Sequence, residues 1–241
     1  MEEPKKHTLW FAIINTFLAT STIIVTYLTL SFGTVAGQVD TSVDEGWYYI
    51  LTFTVQSNIL LGLIAFAGVI FGIRNLKKNK PIPSSYITWY LTASSATMLT
   101  ALTVIFFLAP ARAMQGKNYF EMMMGPMFFF HFFNPFLSAA AFVFFTKKEK
   151  LGLKNCFFAL IPPAVYAVPY ILNVVILQNW HDFYGFTFGG NNWAVPIVFI
   201  VISIITFSIA ILLTSCHNRY IKFSQKTAFP AERYSKSLHS A

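Results

Sequence analysis

Two concentrations of polar side chains stand out in an otherwise apolar chain. The first is FTVQSN, Phe53 to Asn58, within the longer run YYILTFTVQSNILLG. Thr54, Ser57 and Asn58 are spaced i, i+3, i+4 and share one face of a helix, while Thr52 and Gln56 fall on adjacent or different faces. A threonine hydroxyl there is a candidate nucleophile, with Ser57 and Asn58 as candidate donors to a bound substrate or to the oxyanion formed on attack. The second is His131, in MFFFHFFNPF. His7, His181, His217 and His239 lie outside the long apolar stretches, so His131 is the lone imidazole inside one. In such surroundings a neutral imidazole is the expected form, the one a general base needs. Both groups also have a purely structural reading, because Ser and Thr bond their own helix carbonyls and Asn ties helices together.

The elements that must position these residues follow from composition. The 241 residues are 56% hydrophobic and 11% charged, and the apolar residues come in long blocks. Six stretches without Asp, Glu, Lys or Arg are long enough to cross a bilayer core: 9–32, 48–73, 86–109, 125–146, 156–177 and 193–216. The fold class expected is all-α, a polytopic integral membrane bundle of six transmembrane helices over residues 1–216. A basic tail, 217–241, lacks hydrophobic periodicity and is expected to lie disordered against anionic head groups.

The net charge of +8 is not a nucleic-acid signal, because 15 of the 17 basic residues cluster before span one and after spans two, four and six. Arg112 and Lys117 are left for the opposite side, and the loop after span one carries Asp40, Asp44 and Glu45 without a base. The positive-inside rule then puts both termini in the cytoplasm, with the cell membrane as the expected location. No nucleic-acid partner is expected; the partners expected are membrane lipids and a lipid ester substrate, and the oligomeric state is left open. Span one reads as retained rather than as a cleaved signal. Cys156 and Cys216 fall at cytoplasmic span ends without metal-ligand spacing, so neither a disulfide nor a zinc site is expected, and nothing points to a metal, nucleotide or redox cofactor.

Helix direction relates the two polar groups. Spans two and four both run inward from the outer face. Thr54 is six residues below Tyr48 and His131 six below Gly125, each about 9 Å from the outer boundary. Span five brings Tyr170 and Asn173 into the same outer half, and Asn134 lies one turn below His131. A hydroxyl, an imidazole and amide donors at the depth of lipid ester carbonyls suit acyl transfer. The loop from Gln178 to Asn192 holds Trp180, Phe183, Tyr184, Phe186 and Phe188 among glycines; an interfacial aromatic belt is the expected reading and a lid the alternative, with His181 and Asp182 at hand to assist. Gly68 and Gly72 form a small-xxx-small pair, and Pro162, Pro163 and Pro169 predict a kinked span five.

These residues resemble the androgen-induced and androgen-dependent membrane hydrolases, and most closely their bacterial six-span branch. The likeness is carried by FTVQSN at Phe53 to Asn58, by His131 followed four positions later by Pro135, and by Tyr166, Pro169 and Tyr170 in span five. The resemblance implies an intramembrane threonine nucleophile, Thr54 with Thr52 as its rival, and His131 as base. It further implies esters of hydroxy fatty acids as a substrate class. The function expected is a lipid-ester hydrolase, with Asn58, Asn134 or Tyr170 as oxyanion donors and no carboxylate completing a triad. The alternatives are a non-catalytic lipid-binding or transport protein with the same polar pocket, and a structural protein in which these side chains only join helices.

Overall fold

The structure is a computed structural model describing residues 3–32, 46–146 and 149–238, with side chains described for 5–31, 47–146 and 149–225. The acidic loop after span one, and Lys147 and Lys148, lie outside the described residues. Among the described residues there are helices and no strands: α1 (Glu3–Phe32), α2 (Phe53–Lys78), α3 (Ser84–Met114), α4 (Phe129–Phe145), α5 (Leu153–Ile176) and α6 (Ala194–Leu238). Five of them, α1, α2, α3, α5 and α6, are long and apolar enough to cross a membrane, which is the make-up of an integral membrane protein; α4 is apolar but shorter.

Each expected span coincides with a helix, with two changes that matter. Residues 46–51 form a separate 3₁₀ helix, and α2 proper begins only at Phe53. The basic segment expected to be loose instead continues α6 to Leu238. Its first turns are held by the bundle. His217 is buried with Nε2 3.1 Å from the Glu149 carbonyl, and Asn218 pairs with Leu151, accepting from its N–H at 3.0 Å and donating to its carbonyl at 2.8 Å. Ile221, one turn on, is buried too, so an apolar stripe at helical spacing does run into the tail, masked by its flanking charges.

The glycines of α2 let α1 approach closely. A Cβ on Gly62 would lie 2.7 Å from Thr22 Cγ2, one on Gly68 2.8 Å from Asn15 Oδ1, and one on Gly72 3.0 Å from Ala12 Cβ. Helix α3 is the most enclosed, packed by α2, α4, α5 and α6 and rich in small polar residues. Several of their hydroxyls bond within the helix, Thr92 donating to the Thr88 carbonyl at 3.0 Å and Thr97 to that of Ala93 at 3.1 Å, while those of Ser94 and Ser95 are buried without a partner.

Three helices carry π turns: Val104–Leu108 in α3, Phe129–Phe133 in α4 and Ile171–Ile176 in α5. The first two end one residue short of the position before a proline, Pro110 and Pro135. A proline clashes with the carbonyl four residues back and offers it no N–H, and a widened turn relieves both problems.

Candidate active site

The site is built where α2 begins. Thr52 caps the helix from an extended conformation: its Oγ1 accepts from the Val55 N–H at 3.4 Å and donates to the Tyr49 carbonyl at 2.7 Å. The cap fixes Thr54 as the second residue of the first helical turn rather than six residues into a span. The Thr52 hydroxyl is thereby committed to holding the helix start, while Thr54 is partly exposed to a cavity.

Across that cavity the π turn of α4 presents His131, which is buried. Its Nδ1 lies 2.5 Å from the Met122 carbonyl. A carbonyl only accepts, so Nδ1 carries the proton and Nε2 keeps its lone pair, the tautomer a base requires. Thr54 and His131 line one cavity of about 410 Å³, together with Thr52, Arg112, Gln115 and Tyr184. Arg112 is the one permanently charged side chain among the described residues lining it.

The loop between α5 and α6 folds back over Thr54. The Tyr184 phenol oxygen accepts from the Phe53 N–H at 2.8 Å and lines the same cavity as Thr54. Burial pushes the Tyr184 phenol above its ordinary range, and its hydrogen bonds only partly offset this, so it stays protonated at neutral pH. Asp182 clasps the loop: it accepts from the Tyr170 phenol, from the N–H groups of Phe186 at 2.9 Å and Thr187 at 2.8 Å, and from the Thr187 hydroxyl at 2.8 Å. Partial burial is the largest single influence on this carboxyl and would raise it. The bonds from Tyr170, Thr187 and Phe186 outweigh burial and hold it below its ordinary value. Tyr184 and Phe186 stack at 5.0 Å and pack on Tyr170 and Phe199. The loop thus packs as an aromatic cover beside Thr54. His181 is exposed, edge-on to Phe183.

The other expected site residues point elsewhere, and none of the five lines the cavity. Ser57 shares a hydrogen bond with Thr100 on α3 at 3.1 Å. Asn58 donates to the Thr54 carbonyl at 2.9 Å and to the Phe130 carbonyl on α4 at 3.4 Å. Asn134 accepts from Ser21 on α1 at 2.9 Å, Tyr170 is spent on Asp182, and Asn173 donates to the Pro169 carbonyl at 2.9 Å. Asn58 and Ser57 act as ties between helices that steady the first turn of α2 and the π turn of α4. Tyr184 and Arg112, which line the cavity with the pair, carry weak signals in sequence: one sits in a glycine-rich loop, the other just past a span end. Among the described residues no cluster of His, Cys, Asp and Glu could hold a metal ion.

The arrangement offers a helix-start hydroxyl, an imidazole in the basic tautomer and a cation around one cavity beside an aromatic cover. No protein-family model, no curated protein and no solved structure matches the chain.

Proposed function

We propose that this chain is a six-span protein of the cell membrane, both ends cytoplasmic, that hydrolyses lipid esters with Thr54 as nucleophile and His131 as base. The observation that carries this reading is the shared cavity: the two residues, 77 positions apart in sequence, line the same 410 Å³ space. The Nδ1 bond to Met122, which leaves Nε2 as the basic nitrogen, supports it further. So does the commitment of Thr52 to the helix cap, which favours Thr54 over its neighbour. The resemblance to the androgen-induced and androgen-dependent membrane hydrolases points the same way and suggests esters of hydroxy fatty acids.

In the reaction the Thr54 Oγ attacks the ester carbonyl and His131 Nε2 takes its proton. The tetrahedral intermediate collapses as the imidazolium returns that proton to the departing alcohol, leaving an acyl ester on Thr54. Water, deprotonated by the same nitrogen, then releases the carboxylic acid and restores the hydroxyl. Before the first step the loop that carries Tyr184 over the start of α2 must move to admit the ester to Thr54.

The cover that Tyr184 places beside Thr54 favours the competing reading, a lipid-binding cavity without chemistry. A fluorophosphonate probe separates the two. The parent protein is expected to be labelled at Thr54, Thr54→Ala not at all, and His131→Ala much more slowly. If all three proteins are folded and the parent takes no label and cleaves no lipid ester from a broad panel, the hydrolase reading is wrong.

A further inference from the structure

A second, larger space lies between α3 and α6. It is a groove of about 600 Å³ whose walls are Leu102 and Phe106 on one side and Ile197, Val201 and Ile205 on the other, with Thr103 as the one polar side chain among the described residues lining it. It faces outward: Phe106 is 74% exposed and Ile197 62%. From Ala194 to Ile205 it follows α6 for about 16 Å, the reach of a medium-length acyl chain.

The groove is separated from the Thr54 centre by a small cleft that borders both. That cleft, about 30 Å³, is lined by Thr54 and Tyr184 and shares Leu99, Thr103, Phe186 and Ile202 with the groove. Phe107 and Phe188 are common to the groove and the polar cavity. A space of 30 Å³ admits about one water, so the lid residues Tyr184 and Phe186 close the passage in this structure. The closed cleft and the polar cavity with His131 and Arg112 therefore meet at Thr54, and the apolar groove adjoins the cleft along the walls they share.

We propose that the α3–α6 groove is an acyl-chain site, which takes a hydrocarbon tail sideways from the bilayer and delivers the group at its polar end past Thr103 to Thr54. The proposal rests on the hydrolase reading only for what happens at Thr54; the groove holds a chain whether or not the ester is cut. Hydrophobic transfer does not drive this binding, because lipid tails are as apolar as the groove. What the groove supplies is shape: a concave wall keeps a chain in more contacts than a convex helix face does, and the cleft it borders fixes which end of the chain meets the nucleophile.

The test uses full-length protein in phosphatidylcholine nanodiscs containing a trace of a palmitic acid with a mid-chain diazirine. After irradiation, adducts are mapped by mass spectrometry. Val165 and Val168 on α5 are 65% and 69% exposed and serve as the comparison face. Adducts are expected on Leu102, Phe106, Val201 and Ile202 at about five times the frequency seen on that face, reflecting the concavity. Leu102→Trp and Ile202→Trp, which fill the groove, are expected to return that ratio to near one. Equal labelling of both faces in the parent protein overturns the proposal, and that comparison decides even where a tryptophan variant fails to fold. Undiminished groove adducts in both folded variants overturn it as well. Fluorophosphonate labelling of Thr54 is read separately: groove adducts without Thr54 labelling leave the lipid site standing while the hydrolase falls, and the converse result does the opposite.

Discussion

Replacing Asp182 with Asn tests whether the loop over Thr54 is a held lid. The carboxylate accepts four bonds, two at each oxygen: Tyr170 and Phe186 N–H at Oδ1, and the Thr187 N–H and hydroxyl at Oδ2. Asparagine keeps one acceptor oxygen, so the Oδ1 pair survives in weaker, uncharged form, while an amide NH₂ now faces the Thr187 N–H. The Thr187 hydroxyl can turn to accept from that NH₂, so one bond gives way to a donor–donor contact and three are weakened, roughly 4 kcal/mol in all, and water reaching this partly buried site recovers part of it, leaving about 2–3 kcal/mol. The opening equilibrium of the loop then rises roughly 30- to 150-fold. Hydrogen–deuterium exchange in detergent at neutral pH reads this directly: amides of 183–190 exchange faster by that factor, while peptides of α2 and α3 are unchanged. The pH dependence has a definite sign. Because the folded carboxyl lies below the ordinary 3.8, the clasp is fully present above that value and is lost as pH falls through the lowered one. The parent loop therefore loosens only in strong acid, and the Asn variant shows no such step. Exchange in 183–190 that changes less than about threefold in a folded variant would mean that aromatic packing, not the clasp, holds the lid.

Three further substitutions probe separate parts of the site. Tyr184→Phe removes the acceptor for the Phe53 N–H beside Thr54; it is expected to lower stability by about 1 kcal/mol and, by loosening the loop, to speed fluorophosphonate labelling of Thr54 severalfold. Slower labelling would assign the phenol a supporting role instead of an occluding one. Thr52→Ala is expected to cost about 1 kcal/mol in thermal unfolding through loss of the cap, with Thr52→Ser restoring it and Thr54 labelling persisting in both; label that moves or vanishes with Thr52→Ser would reverse the assignment of the nucleophile. Gly68→Leu drives a branched side chain into Asn15 and Tyr86 and is expected to abolish monodisperse elution, whereas Gly72→Ala, 3.0 Å from Ala12 Cβ, is tolerated with a small loss of melting temperature. Equal tolerance of both would show that α1 and α2 can slide apart cheaply.

Much of the architecture was legible because a bilayer demands long uncharged segments, and all six stretches are helices. The meeting of Thr54 and His131 was legible from helix direction and depth, although the depth count for Thr54 assumed a helix running from Tyr48. The break at Thr52 was hidden because a capping threonine between Leu51 and Phe53 looks like any other polar residue in an apolar run. The helix that continues into the tail is hidden for a related reason: a cluster of charges conceals a buried stripe when His217 and Asn218 find partners among the carbonyl and N–H groups of residues 149–151. Tyr184 was invisible as a site residue because its role depends on how the loop folds, which the clasp of Asp182 decides and no local pattern announces.

The failure of Asn134 to join the cavity has a specific physical cause. In an α-helix residues three apart lie about 60° from one another, which is why Asn134 reads as sharing a face with His131. Residues 129–133 form a π turn, whose wider circuit increases that angle. The imidazole turns to the cavity, and the amide swings to α1, where its oxygen accepts from Ser21. The proline that requires the widened turn, Pro135, thus helps aim the base. The same reasoning holds in α3: the π turn before Pro110 puts Phe107 and Leu108 on the cavity wall and leaves Phe106 on the lipid side of the groove. Two prolines that look like helix breakers in sequence therefore act as pointing devices. Both lie at the end of the bundle where α2 begins, so the π turns of α3 and α4 gather around the cavity that Thr54 lines.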